Sequence, residues 1–181
     1  MKTLKSICIV VVLFSITSNA QITKGNWMVG GNGSLSHSNF KSEQNMSDSN
    51  SYQIDLSPNI GYFVYEKLAL GTRLSYFLSK FNSENGSSKY TYYGAGPFVR
   101  YYFLKEGKST NLFLETSYSF SVNENNTDKV FKTKAGTVIF LNSSVGFEIS
   151  VEYLLNEYNS GDKSNVILLG LGFQIHLKKD D

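Results

Sequence analysis

Seven ionisable residues sit in places where charge needs a reason. Arg73, Arg100, Glu115, Glu148 and Glu152 each fall in the middle of a segment that alternates apolar and polar side chains, and Asp55 and Lys134 are further candidates for the same set. On such segments every second residue points to one face. These groups therefore share a face otherwise made of Gly and Ser, away from the Leu, Ile and Val that alternate with them. Two chemistries suit charges gathered that way. They can pair with one another as a structural network, because mutual pairing offsets the desolvation that an isolated buried charge would suffer. Alternatively they can line a passage and select ions. A narrow enclosure favours the first.

Other chemistry-bearing residues are fewer. Only two His are present. His37 has Ser36, Ser38, Glu43 and Asp48 close by in sequence, a set from which a Ser-His-acid hydrolase or acyl-transfer site could be built, while His176 lies near the other end of the architecture described below. Polar groups of this kind are abundant on any exposed loop, so a catalytic residue is not assigned. Gly30-Gly31-Asn32-Gly33 lacks the following helix and the Lys-Ser/Thr of a phosphate-cradling loop, which leaves tight backbone packing as its reading. Asp48, Glu84, Glu124, Asp128, Glu157 and Asp162 are too dispersed for an EF-hand type Ca²⁺ site. No cofactor or metal is expected.

The elements that must position these residues begin after residue 20. Lys2 and Lys5 precede an apolar run from Ile7 to Ile16, and Ser18-Asn19-Ala20 offers small residues for cleavage before Gln21. Residues 1–20 thus read as a secretory signal peptide, too short and wrongly flanked for a spanning helix. Removing 20 of the 181 residues leaves 161, a single domain at 21–181. Losing Lys2 and Lys5 reduces the 17 basic residues to 15, equal to the 15 acidic ones, so the mature charge gives no support for nucleic-acid binding. Cys8, the only cysteine, departs with the signal, which excludes a disulfide in the mature chain.

Period-two alternation predicts eight strands, at about Asn26–Ser36, Tyr52–Phe63, Leu68–Lys80, Tyr90–Phe103, Leu112–Val122, Lys132–Phe140, Val145–Leu155 and Val166–Leu177. No segment carries a helical period. Short connections fall at Val64–Lys67 and Leu141–Ser144, and longer ones, rich in Asn, Ser and charge, at 38–51, 82–89, 123–131 and 156–165. Short turns at one rim and long polar loops at the other are the pattern of an outer-membrane barrel. Leu104–Asn111 is longer than that scheme prefers.

Alternation alone leaves open which face is inside, since a soluble ligand-binding calyx has the same period with the apolar face inward. Three features favour the inverted arrangement. The polar face is mostly Gly and Ser, as a crowded interior requires. The apolar face carries no charge at mid-strand. Aromatics gather near strand ends, with Tyr62, Phe63, Tyr65, Tyr101 and Phe103 toward the short turns and Tyr76, Phe81, Tyr93, Phe120, Tyr153 and Tyr158 toward the long loops. Two such belts match the two interfaces of a bilayer. Pro58 and Pro97 fall inside strands of a sheet with no edge, a difficulty that a β-bulge at each would resolve.

Several stretches resemble a known family. Ser57-Pro58-Asn59-Ile60-Gly61-Tyr62-Phe63-Val64 followed by Leu68-Ala69-Leu70-Gly71 is similar to the second and third strands of the small outer-membrane β-barrel domain found across Gram-negative bacteria. Gly94-Ala95-Gly96-Pro97-Phe98-Val99-Arg100-Tyr101-Tyr102-Phe103 resembles its fourth strand, prolines included. Ile139-Phe140-Leu141-Asn142 with Val145-Gly146-Phe147-Glu148 looks like its sixth-to-seventh hairpin. The resemblance covers essentially the whole mature chain and implies an OmpX/OmpA-type all-β fold, an eight-stranded antiparallel up-and-down transmembrane barrel. Family members often end on an aromatic that the insertion machinery recognises, whereas here Phe173, Ile175 and Leu177 are followed by Lys178-Lys179-Asp180-Asp181. The family hosts structural, adhesive and enzymatic members, so membership is a weak guide to activity.

The expectation is an integral outer-membrane protein with a structural or cell-surface interaction role. Eight strands enclose only side chains and exclude a wide pore. The expected partners are outer-membrane lipid, the barrel-insertion machinery and an extracellular ligand met by the long loops. The alternatives are a lipid-modifying barrel enzyme of acyltransferase or deacylase type and, behind it, the soluble calyx.

Overall fold

The structure is a computed structural model that describes residues 22–40, 49–83, 86–123 and 126–178. The expected signal peptide, Glu43, Asp48, Glu84 and Glu124 lie outside the described residues. Eight antiparallel strands, β1 (Trp27–Phe40), β2 (Ser49–Tyr65), β3 (Leu68–Ser83), β4 (Gly86–Tyr102), β5 (Thr110–Asn123), β6 (Asn126–Phe140), β7 (Val145–Glu157) and β8 (Lys163–Leu177), follow one another around a closed barrel. Each pairs with its neighbours in sequence, and β8 returns to β1.

The faces divide by the alternation already evident in the chain. Outward side chains such as Leu70, Leu74, Val99, Leu114, Ile149 and Leu171 are exposed, whereas Asn59, Arg73, Arg100, Glu115, Ser117, Lys134, Glu148 and Ser150 are buried inside. This is the inverse of a soluble calyx, and only an apolar surrounding stabilises it. A basic residue on the outward midplane would cost about 2–4 kcal/mol. Outward charges of the described strands lie toward one rim, where Lys80 opposes Lys89 across β3–β4 and Lys129, Glu157 and Lys163 form one row across β6–β8.

Four expectations need correction. The connections 82–89 and 123–131 are not loops over most of their length. β3 and β4 stay paired up to Ser83↔Gly86, and β5 and β6 up to Asn123↔Asn126. Ser, Asn and Lys occupy both faces of these ribbons, and with water on either side no alternation is required. Second, neither proline makes a bulge. Flanking pairs Leu56↔Tyr76 and Asn59↔Arg73 keep one register past Pro58, as do Ala95↔Phe120 and Phe98↔Ser117 past Pro97. The ladder is interrupted on one side of each proline while the other side stays paired, as Gly31↔Pro58 and Thr72↔Pro97. The shift of register falls instead between Phe63 and Tyr65, at the turn into β3.

The third correction is Phe63, expected in the lower aromatic belt. It points inward and is fully buried with Met28, Ala69, Tyr102, Val138 and Phe140, forming an apolar plug in the lower part of the barrel. Ile22 closes this plug from below, its carbonyl accepting a hydrogen bond from the Lys67 amide at 2.9 Å. The fourth is Tyr158, which lines a cavity at the opposite mouth rather than facing lipid.

One ladder is much shorter than the strands that make it. β1 and β8 pair only from Trp27↔Leu177 to Asn32↔Gly172. Gly31, at φ +147°, marks the divergence, a conformation that side-chain-bearing residues rarely adopt. A Cβ at Gly31 would also stand 2.5 Å from the Ser57 carbonyl oxygen. Beyond it, Leu35 on β1 and Leu169 on β8 reach 81% and 86% exposure, well above their apolar neighbours in paired wall.

Candidate functional site

The centre of the barrel is a chain of ion pairs. Arg100 on β4 is directly opposite Glu115 on β5, Glu115 opposite Lys134 on β6, and Lys134 opposite Glu152 on β7. Cross-strand partners share a face, so one inward row runs base, acid, base, acid around half the wall. Arg100 donates from Nε to Glu115 Oε2 at 2.7 Å and also binds Glu148 through both terminal nitrogens. Lys134 Nζ lies 3.0 Å from Glu148 Oε2 and 3.8 Å from Glu152 Oε1. Arg73 reaches the other Glu115 oxygen at 2.5 Å and donates to Asn32 Oδ1 at 3.0 Å and to the Ser57 carbonyl at 3.2 Å.

Six of the seven residues singled out in the sequence are thereby brought together. Asp55 stands apart, higher in the barrel, where Ser57 Oγ donates to it at 3.4 Å. Lys132 is the participant that sequence reasoning missed: its Nζ lies 3.2 Å from Glu152 Oε2. The signal was present, because Lys132 and Lys134 are two apart on one strand and must share a face.

Aromatic rings support this network from below. The Arg100 guanidinium carbon lies 4.5 Å from the centre of Phe113 and 5.8 Å from that of Tyr102, whose hydroxyl also accepts from Arg100 Nη1 at 3.1 Å. Lys134 Nζ is 5.4 Å from the Phe113 ring. A cation over an aromatic face is attracted by the ring quadrupole, and more so when both are desolvated. The His176 ring is buried in the same layer, 5.4 Å from Phe140, 5.7 Å from Phe63 and 6.0 Å from Tyr102.

Above the network the interior widens. A cavity of about 320 Å³ is lined by Phe77, Tyr90, Tyr92, Asp128, Val130, Asn156 and Tyr158. A smaller one beneath it has Asp55, Arg73 and Lys132 in its wall.

Of the residues considered for catalysis, the described ones, His37, Ser36 and Ser38, do not assemble. His37 lies toward the outer end of β1 opposite Tyr52, stacked on its ring at 4.3 Å, with Nδ1 3.2 Å from the Ser51 carbonyl oxygen. Ser36 and Ser38, its neighbours in sequence, lie on the opposite face, Ser36 Oγ donating to Gln53 and Ser38 Oγ meeting Ser51 Oγ. Strand alternation thus separates the imidazole from both hydroxyls. Among the described residues, no group of three or more His, Cys, Asp or Glu is placed to hold a metal ion.

No protein-family model and no curated protein matches the chain. Solved structures do. The outer membrane protein OprG from Pseudomonas aeruginosa is similar with a TM-score of 0.52 at 12% identity, over 87% of this chain and 98% of that one. The outer membrane enzyme PagL gives 0.41 at 14%, over 83% and 98%, and Neisserial surface protein A gives 0.43 at 11%, over 86% and 98%. At such identity the likeness to OprG shows the fold alone. With the apolar exterior and charged interior, that fold defines the class: a small, closed transmembrane β-barrel of the outer-membrane type.

Proposed function

We propose that the chain is an integral protein of the Gram-negative outer membrane, exported by a cleaved signal peptide, with a structural or cell-surface interaction role and no enzymatic activity. One observation carries this reading. Arg100 is 0% exposed, held between Glu115 and Glu148, and rests on the apolar plug, so the barrel is filled from its middle to one end. A conduction path would need water where these side chains pack, and a barrel of eight strands leaves no room for both. The ion pairs are therefore structural rather than ion-selecting. The functional surface is the unfilled end, to which the described parts of the segments 38–51, 82–89, 123–131 and 156–165 belong. The remaining partners are outer-membrane lipid against the apolar wall and the insertion machinery during assembly. The opposed faces of His37 and its serines support a non-enzymatic role.

The test is to refold the mature chain into detergent and then planar bilayers. Unboiled protein in dodecyl sulfate is expected to migrate differently from boiled protein, because every ladder hydrogen bond of a closed barrel resists detergent. Bilayers are expected to show no large, steady conductance. Porin-like current, or a soluble periplasmic protein without a heat-dependent shift, overturns the reading.

A further inference from the structure

We propose that the cavity at the unfilled mouth is a binding site for a small organic cation, of the alkylammonium or quaternary ammonium class. The inference deepens the surface-interaction reading and rests on it only for which side of the membrane the ligand comes from.

Its wall is built from rings. Phe77 on β3 and Tyr92 on β4 are opposed across their ladder and stack with centres 4.9 Å apart at 24°. Tyr90, two residues along β4 on the same face, meets Tyr92 edge-on at 5.8 Å and 72°. Tyr158 supplies a fourth ring from the turn between β7 and β8. All four line a space of about 320 Å³ together with one carboxylate, Asp128. Aromatic faces carry negative potential, and rings gathered around a small space attract a soft cation whose hydration shell is weak. A sugar or a neutral apolar molecule would gain little from the carboxylate, and an anion would be repelled by it.

The charge balance points the same way. Among the described residues, inward basic groups are Arg73, Arg100, Lys132 and Lys134, and inward acidic groups are Asp55, Glu115, Asp128, Glu148 and Glu152. The surplus is one negative charge. All four bases are ion-paired to the three glutamates in the network below. The outermost of the nine is Asp128, paired to Ser121 near the end of the β5–β6 ribbon and lining the cavity itself. Those four bases exceed the three glutamates by one, and Asp55, which shares a cavity wall with Arg73 and Lys132, balances that charge, so the field at the mouth is left to Asp128.

The site is also held in shape. Asp128 Oδ1 accepts from the Asn159 amide at 3.1 Å, tying β6 to the turn that carries Tyr158. The Tyr158 hydroxyl and Ser164 Oγ are 3.1 Å apart, and the turn closes on itself through Tyr158 N to the Asp162 carbonyl at 2.9 Å. A carboxylate has lone pairs beyond that one bond, so Asp128 can brace the turn and meet a cation together. Rings fixed before binding lose less freedom when the ligand arrives.

The experiment uses the full mature chain refolded in a non-ionic polyoxyethylene detergent, titrated with choline, with tetramethylammonium, with the uncharged isostere 3,3-dimethylbutan-1-ol and with glucose. Ring currents are expected to move the ligand methyl proton signal upfield in a saturable way. Asp128→Asn and Tyr92→Leu, each checked for the heat-dependent gel shift, are expected to weaken choline binding about tenfold, as is the loss of charge in the isostere. Isostere or glucose binding as tight as choline, or saturable choline binding unchanged in both folded variants, overturns the proposal, as does the absence of saturable binding by the wild type. The assay in detergent is indifferent to membrane orientation. Failure there leaves the surface role standing, and failure of surface exposure on cells leaves the binding result intact.

Discussion

Arg100 and Glu115 face each other directly across the β4–β5 ladder, with Nε to Oε2 at 2.7 Å and both side chains withdrawn from solvent. Each is also shared. Arg100 holds Glu148, and Glu115 is held by Arg73, so removing either partner leaves buried charge that the rest of the network only partly neutralises.

Arg100→Ala is therefore expected to destabilise the barrel by about 3–5 kcal/mol, the range for breaking a buried pair from one side. Lys134 remains with Glu148 and Arg73 with Glu115, which favours the lower end. Urea unfolding in lipid vesicles, followed by the gel shift, measures it. Arg100→Met combined with Glu115→Gln is expected to cost less than Arg100→Ala, because it removes charge from both sides of the pair. Neutral behaviour of Arg100→Ala overturns the network as a stabilising element.

The same variant is not expected to conduct. Beneath Arg100 lie Phe63, Tyr102, Val138 and Phe140, with Ile22 across the end, and truncating one side chain above them leaves that plug in place. Bilayer recordings of Arg100→Ala with a steady open level would show that the apolar layer does not seal the interior.

Gly96 lies against the β5 backbone, beside the interruption of the ladder at Pro97. A Cβ built there would lie 2.0 Å from the Tyr118 carbonyl oxygen and 2.7 Å from Ser119 Cβ. Neither can swing aside as a flexible chain end would. Gly96→Ala is expected to cost about 1–3 kcal/mol, the usual range for overpacking, and to lower the yield of heat-shifted barrel on refolding. Wild-type yield and stability would mean that the strands part freely at the proline.

At the plugged end, Glu66 and Glu106 come from neighbouring turns, and a hydrogen bond that protonated Glu106 donates to the Glu66 carboxylate, followed by partial burial, raises the Glu106 pKa above the usual carboxylate value. A raised acid pKa means that the folded state holds its proton more tightly. The contribution is fully present below the unfolded pKa and disappears as pH rises through the folded one. Glu106→Gln is thus expected to be near neutral in acid and slightly stabilising at pH 7, where wild-type Glu106 has given up its proton. Both groups are solvent-exposed, which keeps the effect small. A larger benefit in acid than at pH 7 contradicts the shared proton.

Protease added to intact cells is expected to cut first within 38–51 or at the exposed Tyr158–Asp162 turn, if it cuts at all. Cleavage confined to the Tyr65–Leu68 or Leu141–Ser144 connections would invert the topology.

How far the chain could be read follows from the range of each signal. Eight strands and their two faces are local properties: successive side chains point to opposite sides, so Glu148, Ser150 and Glu152 against Phe147, Ile149 and Val151 declare a wall with two unlike environments. Where both sides are water, as in the ribbons ending at Ser83↔Gly86 and Asn123↔Asn126, that contrast vanishes and strand resembles loop. Phe63 was misread for a related reason, since a ring near a strand end serves an interfacial belt or a plug equally well until its face is counted across the turn.

Sequence by itself thus determined a barrel wall, its apolar outside and the small set of charges inside. Register belonged to the tertiary structure. Only the pairing of β4 through β7 places Arg100, Glu115, Lys134 and Glu152 in one row, brings Lys132 to Glu152 and leaves Asp55 above them. The same closure divides the interior into an apolar plug, a charged middle and an aromatic mouth. The physical reason is that alternation repeats every two residues and is satisfied by any slip of two. The choice among such slips is made by how strands packed around one narrow interior fill it and match its charges.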